Sequence, residues 1–278
     1  QFGELVTDEE ILDPTEVIRL YHPNGRRSSE TVYKNGVKHG VHREYNTKGQ
    51  IISGGVFKDG ILLEKGITDS EGKKQGIWVL YYKSGEEKAV GKYLDGKRIE
   101  EWVFYYESGE VEQNGFYNNG EYNGEWKWTF KNGSIKRIEN YINGVEHGDF
   151  VEYDNKNNAL LKGVYNNGLR EGDWVYHVND HKEEGVYVSD QKNSVWIHTF
   201  LDGTMIFKGE FSFDSPVGVH KIWSSKGILI STGKYKNGLK NGKWQHFKND
   251  GTQERFYKYK NGVLIKVDGS KVQESEES

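Results

Sequence analysis

The sequence predicts an all-β fold, an elongated repeat protein whose single antiparallel sheet is assembled from successive hairpins of 24 residues. Three observations predict it. A bulky ring recurs at Trp78, Trp102, Trp126, Phe150 and Trp174, each 24 residues after the last, and after a 22-residue step the interval resumes at Trp196, His220 and Trp244. Two glycine turns fall within each period: one seven residues past the ring (Gly85, Gly109, Gly133), the other eleven further on as Asn-Gly or Asp-Gly (Gly96, Gly120, Gly144). Asn-Gly between alternating segments is the strongest local hairpin signal. Finally, 8 Trp, 18 Tyr, 12 Phe and 35 Gly against 3 Pro suit short aromatic strands joined by glycine turns, and a 34% hydrophobic content is too small for one thick core.

In chain order, residues 1–20 read as an acidic leader. Glu4, Asp8, Glu9, Glu10, Asp13 and Glu16 precede any Lys or Arg, and the spacing of Thr7 and Glu10 fits a capping box for one helical turn before Pro14. Residues 21–265 read as the hairpin array, about ten units long. A two-residue turn at Ser108-Gly109 sets Glu107 opposite Glu110 and, counting outward, Trp102 opposite Gly115. The same count pairs Trp78 with Gly91, Trp196 with Gly209, His42 with Gly55 and His220 with Gly233. A glycine leaves a bare strip of backbone that a ring on the neighbouring strand can cover, so these five glycines are assigned as structural. Period-two alternation puts Trp102, Phe104 and Tyr106 on one face with Val111, Gly115 and Tyr117, and in the next unit separates Trp126, Trp128 and Phe130 from Lys127 and Thr129. Two places depart from the pattern. Gly60 and Trp78 are 18 residues apart, so "GITDSEGKKQGIW" inserts a strand and turn near residues 60–76. "HVNDHKEEGVYVSDQKNSVW" loses its turn glycines and two residues, which predicts a bend or bulge near residues 177–195. Residues 266–278 read as an acidic, disordered tail.

The net charge of −4 is uneven: the first sixteen residues contribute −6 and residues 271–278 contribute −2, leaving +4 spread over the body. That thin spread lacks the clustered basic charge of nucleic-acid or membrane-surface binders. The absence of cysteine excludes disulfides, thiolate metal sites and a cysteine nucleophile, and no run of eighteen apolar residues spans a membrane as a helix. With Gln1 first and Met205 the only methionine, removal of a signal peptide is expected, and with it export to the periplasm or cell surface of a Gram-negative bacterium.

No nucleophile elbow, Walker loop or HExxH occurs, and a repeat sheet offers no pocket in which nucleophile, base and acid converge, so no enzyme, no small-molecule substrate and no cofactor are expected. Most histidines follow the repeat. His177 and His181 near Asp180 form a cluster outside it, but the composition suits an ordinary surface loop, and no metal is assigned. The candidate binding residues are the rings of the aromatic face: Trp78, Trp102, Phe104, Tyr106, Trp126, Trp128, Phe130, Trp174, Trp196 and Trp244. Rings on every second strand, ~10 Å apart, could stack sugars, yet each Trp is also needed to cover a glycine.

"GEWKWTFKNG", "GDWVYH" and "GKYKNGLKNGKWQHF" resemble the MORN repeat in its bacterial variant form, in multi-repeat proteins labelled antitoxin-like, over residues 21–262. The resemblance implies an elongated sheet of hairpins used for protein contact or scaffolding. The expected function is therefore a docking subunit of a multi-protein bacterial envelope complex, at the outer membrane, because a long repeat surface suits protein partners. A cell-wall or glycan-binding module is the second expectation and an antitoxin against a protein toxin the third.

Overall fold

A computed structural model of the protein describes residues 15–272. The helical turn expected at Thr7–Glu10 and the last residues of the tail lie outside them. The fold is all-β, an open antiparallel sheet of 23 consecutive strands, with no helix among the described residues.

Two compact units divide the chain, Gln1–Asn123 with Lys131–Gly133 and Gly124–Phe130 with Ser134–Ser278. In the first unit β1 (Thr15–Tyr21), β2 (Arg27–Lys34), β3 (Val37–Tyr45), β4 (Ile51–Lys58), β5 (Ile61–Thr68), β6 (Lys74–Tyr81), β7 (Glu87–Leu94), β8 (Lys97–Tyr105) and β9 (Val111–Asn118) each pair with the next. Strand β10 (Glu121–Thr129) contributes Gly124–Thr129 to the second unit. There β10 pairs with β11 (Ile135–Ile142), and β12 (Val145–Tyr153), β13 (Ala159–Asn166), β14 (Leu169–Val178), β15 (His181–Val188) and β16 (Gln191–Phe200) follow, each paired with the one before. The unit ends through β17 (Met205–Ser212), β18 (Ser215–Trp223), β19 (Leu229–Lys236), β20 (Leu239–Phe247), β21 (Gln253–Lys260), β22 (Val263–Val267) and β23 (Ser270–Lys271). Residues 15–20, read as leader, are thus strand, and residues 266–271, read as tail, include the end of β22 and all of β23.

Turn chemistry sets this topology. At Asn35-Gly36, Asp95-Gly96 and Asn237-Gly238 both central residues have positive φ, the type I′ geometry whose twist matches that of the strands. Successive turns of this kind are also tied together: the Gly60 N–H donates at 2.9 Å to the carbonyl of Lys38, just past the Asn35-Gly36 turn, and the Gly262 N–H at 2.9 Å to that of Lys240, just past Asn237-Gly238.

The other turn is not the two-residue type expected. The Gly109 N–H donates to the Tyr106 carbonyl (2.9 Å) and the Tyr106 N–H to the Glu110 carbonyl (2.8 Å), a three-residue loop closed by a glycine at φ +97°. A bulge between Phe104 and Tyr105 restores the register that the longer loop shifts. All five expected pairs are therefore present: Trp102 with Gly115, Trp78 with Gly91, Trp196 with Gly209, His42 with Gly55 and His220 with Gly233. The same bulge sets Val111 opposite Tyr105, off the Trp102 face where simple alternation had put it.

The inserted strand and turn near residues 60–76 are β5 and the Asp69–Lys73 loop. Of the bend or bulge expected near residues 177–195, the β14–β15 hairpin shows none, pairing from Gly172–Tyr187 to Val178–His181 with no shift, whereas β15 and β16 shift register between Glu184 and Val186. Two residues are missing because a two-residue turn replaces the longer loop and the compensating bulge goes with it. Ser189 (φ +47°) and Asp190 (φ +71°) keep the next turn without glycine.

A second positive-φ position lies two residues before each ring, at Gly40, Gly76, Gly124, Gly148, Gly172, Gly218 and Gly242. Glu100 (φ +56°) and Ser194 (φ +61°) occupy it elsewhere. An L-residue in the left-handed region costs ~1 kcal/mol that glycine avoids. Glu100→Gly is expected to stabilise the protein by ~0.5–1 kcal/mol in urea denaturation even though it removes the exposed Lys92–Glu100 ion pair (2.6 Å), since pairs of this kind contribute little. A loss of stability would show that the ion pair outweighs the backbone strain.

Candidate functional site

The rings proposed as a binding face form a covered core. Trp102, Trp126 and Trp196 are 0% exposed, Trp174 1%, Trp78 2% and Trp244 4%. The indoles of Trp78, Trp102, Trp174, Trp196 and Trp244 each lie over a glycine of the strand before, not over the residue opposite in their own hairpin. A Cβ on Gly91 would come within 2.1 Å of the Trp102 ring, one on Gly185 within 2.3 Å of Trp196, and one on Gly233 within 2.0 Å of Trp244. Gly91 thus stands opposite two tryptophans, Trp78 and Trp102, and carries the ring of the second. Gly55, which precedes the insertion, is an exception: its Cβ would meet Leu62 and the Glu64 carbonyl at 2.8 Å.

The register shift at each glycine frees the next carbonyl, and the indole N–H takes it. Trp102 Nε1 donates to Lys92 O at 3.1 Å, Trp174 to Val164 O, Trp196 to Val186 O and Trp244 to Lys234 O, each at 3.2 Å. His220, where the series has imidazole, donates from Nε2 to Glu210 O at 2.9 Å, so histidine preserves the N–H as well as the ring. A tyrosine nine residues before the ring packs edge-on against it, Tyr93 with Trp102 and Tyr187 with Trp196 at 5.0 Å between centroids.

A cation completes the cover. Lys74 lies 4.4 Å from the Trp78 ring, Arg98 4.6 Å from Trp102, Lys192 4.0 Å from Trp196 and Lys240 4.5 Å from Trp244. These cations stand four residues before their rings, and they and the bulge glycines two residues before recur in the sequence with the period of the rings, a signal weaker than that of the turn glycines because Lys, Arg, Glu and Ser share these positions. Arg98 Nη1 also donates to the Tyr117 hydroxyl at 2.9 Å, where burial pushes the phenol up to about 12. Phe104, Tyr106, Trp128 and Phe130 are half-buried and form the only part of the proposed set within reach of a ligand.

The glycine rule has exceptions: Thr31 stands opposite His42 and Tyr257 opposite Trp244, and a third exception buries a carboxylate. Glu139, 6% exposed, occupies the slot beside the ring position, which here holds the smaller Phe150 opposite it. Its carboxylate accepts from the Tyr141 hydroxyl at 2.8 Å and lies 3.5 Å from Arg137 Nε. Burial pushes its pKa up against the pull of both neighbours. The folded state therefore binds this proton more tightly than the unfolded one, and between the unfolded value (~4.3) and the raised one stability falls as pH rises. Glu139→Gln is expected to raise the melting temperature at pH 7, with the gain vanishing below about pH 4, where wild type is protonated in both states. Loss of stability at pH 7 would mean that the Arg137 attraction dominates.

Two other polar groups lie on this face in the second unit. Arg170 donates to the hydroxyls of Tyr176 (3.2 Å) and Tyr187 (2.8 Å), is paired with Asp190 and sits 4.0 Å from the Tyr187 ring centroid, a bracket rather than an open site. His181 bonds Asp180 (3.1 Å) and Glu183 (3.2 Å); His198 Nε2 is 3.8 Å from Glu183. The Asp180 and Glu183 bonds raise the His181 pKa, while burial lowers that of His198. His177 instead bonds the Ala159 carbonyl, turned away from the pair, and no group of three or more His, Asp or Glu is placed to hold a metal among the described residues.

The other face carries exposed aliphatic and aromatic residues in the first unit. Ile77 is 70% and Phe116 51% exposed, and a shallow cavity of ≈ 440 Å³ is lined by Ile77, Val90, Lys92, Glu101, Val103 and Tyr105. No helix of the described residues is long and apolar enough to cross a membrane. The chain matches no protein-family model, and no curated protein is significantly similar to it.

Proposed function

We propose that this protein is a non-enzymatic docking scaffold for a protein partner, as the resemblance to MORN-type hairpin repeats implies. The observation that carries the proposal is the division of labour between the faces. The six tryptophans at the ring position are 0–4% exposed, and of the proposed binding rings only the half-buried Phe104, Tyr106, Trp128 and Phe130 remain within reach, whereas the opposite face of the first unit leaves Ile77 and Phe116 exposed to solvent beside an apolar cavity. Exposed apolar groups rimmed by charge suit a protein surface better than a carbohydrate. The partner belongs to a bacterial envelope complex in this proposal, and fractionation of native cells tests that placement: recovery in the cytoplasm with a small toxic protein favours the antitoxin alternative. The tagged chain, expressed in its native host and purified under mild conditions, is expected to recover one stoichiometric protein complex. Retention on peptidoglycan or polysaccharide with no protein companion would contradict the scaffold and restore the glycan alternative.

A further inference from the structure

Among the described residues the first strand is an edge of the sheet: β1 pairs only with β2, and all seven of its residues are exposed, with Val17 at 40%, Ile18 at 38%, Leu20 at 58% and Tyr21 at 61%. Edge strands of natural sheets are usually blunted by shortness, lysine, proline or a bulge. The last strands follow that practice: β22 has five residues, β23 two, and Lys266 stands opposite Lys271. β1 does not. It is seven residues long, contains neither Lys nor Pro, and is irregular only at its last step, between Leu20 and Tyr21.

Charge adds direction to this edge. Arg19 on β1, Glu30 on β2 and Arg43 on β3 stand directly opposite one another, a cross-strand row that alternates in sign and ends on a cation at the open side. Arg19 Nε donates to Glu30 Oε2 at 2.8 Å, Arg27 Nη1 reaches the same oxygen at 2.8 Å, and Arg43 Nη1 lies 3.8 Å from Oε1. Three guanidinium groups therefore share one carboxylate. The Arg19 terminal nitrogens make no hydrogen bond to the described residues, and the side chain is 44% exposed.

We propose that β1 is the docking edge for an extended segment of a protein partner that adds a strand to the sheet and carries an Asp or Glu opposite Arg19. The inference rests on the scaffold proposal and names where and by what chemistry the partner binds. Opposite charges directly across a strand pair stabilise and like charges destabilise, so the row Arg43–Glu30–Arg19 calls for an acid next. A carboxylate there takes both free nitrogens of the Arg19 fork. The neighbours of that acid face Ile18 and Leu20, and the residues two away face Val17 and Tyr21, so the segment carries β-branched or apolar residues on both sides of its acid. Main-chain bonds to the edge supply affinity and the acid supplies register, as in other strand-addition complexes.

The test uses the full chain and a fluorescein-labelled peptide, Ser-Thr-Val-Glu-Val-Thr-Ser, with central Gln and Lys versions, read by fluorescence anisotropy. The Glu peptide is expected to bind about fivefold more tightly than the Gln peptide, and the Lys peptide more weakly still. Binding should slow amide exchange in residues 15–21. Arg19→Gln, which leaves Glu30 paired with Arg27, should erase the preference, and Arg19→Glu should invert it in favour of Lys; circular dichroism and melting show whether each variant is folded. No binding, or equal binding of the three peptides to wild type, overturns the proposal. If the stoichiometric complex is recovered equally with wild type and Arg19→Glu, the scaffold stands and the β1 assignment falls. If no protein complex is recovered at all, the scaffold itself falls.

Discussion

Gly91→Val is expected to cost about 3 kcal/mol, at the upper end of overpacking penalties. Its Cβ alone would stand 2.1 Å from the Trp102 ring, and that ring has nowhere to go. The Lys92 carbonyl holds its N–H at 3.1 Å, the Tyr93 ring meets it edge-on at 5.0 Å, and Arg98 covers it at 4.6 Å. Because hairpin arrays are stabilised by nearest neighbours, the damage should be local, with the amides of residues 89–104 exchanging faster in hydrogen-exchange mass spectrometry. Gly85→Ala is the control. Gly85 has open space around its Cβ position and φ +95°, so only the backbone cost of ~1 kcal/mol is expected. If the two variants lose stability equally, the contact of ring with glycine is not what holds the hairpins.

Trp196→Ala is expected to cost ~3–5 kcal/mol, the range for removing a large buried ring. The loss has three sources. A fully buried side chain leaves a cavity beside Gly185, the Val186 carbonyl loses its donor at 3.2 Å, and Lys192 loses the ring 4.0 Å from its ammonium. Trp196→Phe keeps most of the ring but not the N–H, so ~2 kcal/mol is expected, a large share from the unsatisfied carbonyl. Urea titration of both variants checks the order. Equal stability of Trp196→Phe and wild type would remove the hydrogen bond from the explanation.

Much of this anatomy is legible in the sequence, because spacing alone fixes register. The 24-residue interval and the Asn-Gly turns give the hairpins, and counting outward from Gly109 finds the Gly115 partner of Trp102 even though the turn has three residues rather than two. Two errors cancel there: the longer loop adds a residue to one arm and the bulge at Phe104/Tyr105 compensates on the other. In the shorter unit neither is present, so β14 and β15 pair without a shift, and the irregularity within residues 177–195 falls between β15 and β16, at Glu184 and Val186.

What the spacing could not say is which way a ring leans. Trp102 stands opposite both Gly91 and Gly115, and only the carbonyl freed at Lys92 explains why it lies over Gly91. The same geometry turns the rings from a stacking surface into a core, because a ring held by glycine below and cation above has no face left for a ligand. The charge row from Arg19 to Arg43 was hidden for a different reason: Arg19 fell inside the presumed leader, and no period points to a strand there.

The pairing of ring volume with a cross-strand glycine is tested most directly where the protein has changed both partners together, at Glu139 and Phe150. A double-mutant cycle with Phe150→Trp, Glu139→Gly and the combination, each unfolded in urea, isolates their coupling. Phe150→Trp alone should lose ~1–3 kcal/mol, because the larger ring meets the Glu139 side chain where other units have glycine. The combination recreates the usual pair and is expected to recover that loss, with a favourable coupling of at least ~1.5 kcal/mol. Additivity of the two substitutions within ~0.5 kcal/mol would contradict the claim that ring and glycine form one structural unit.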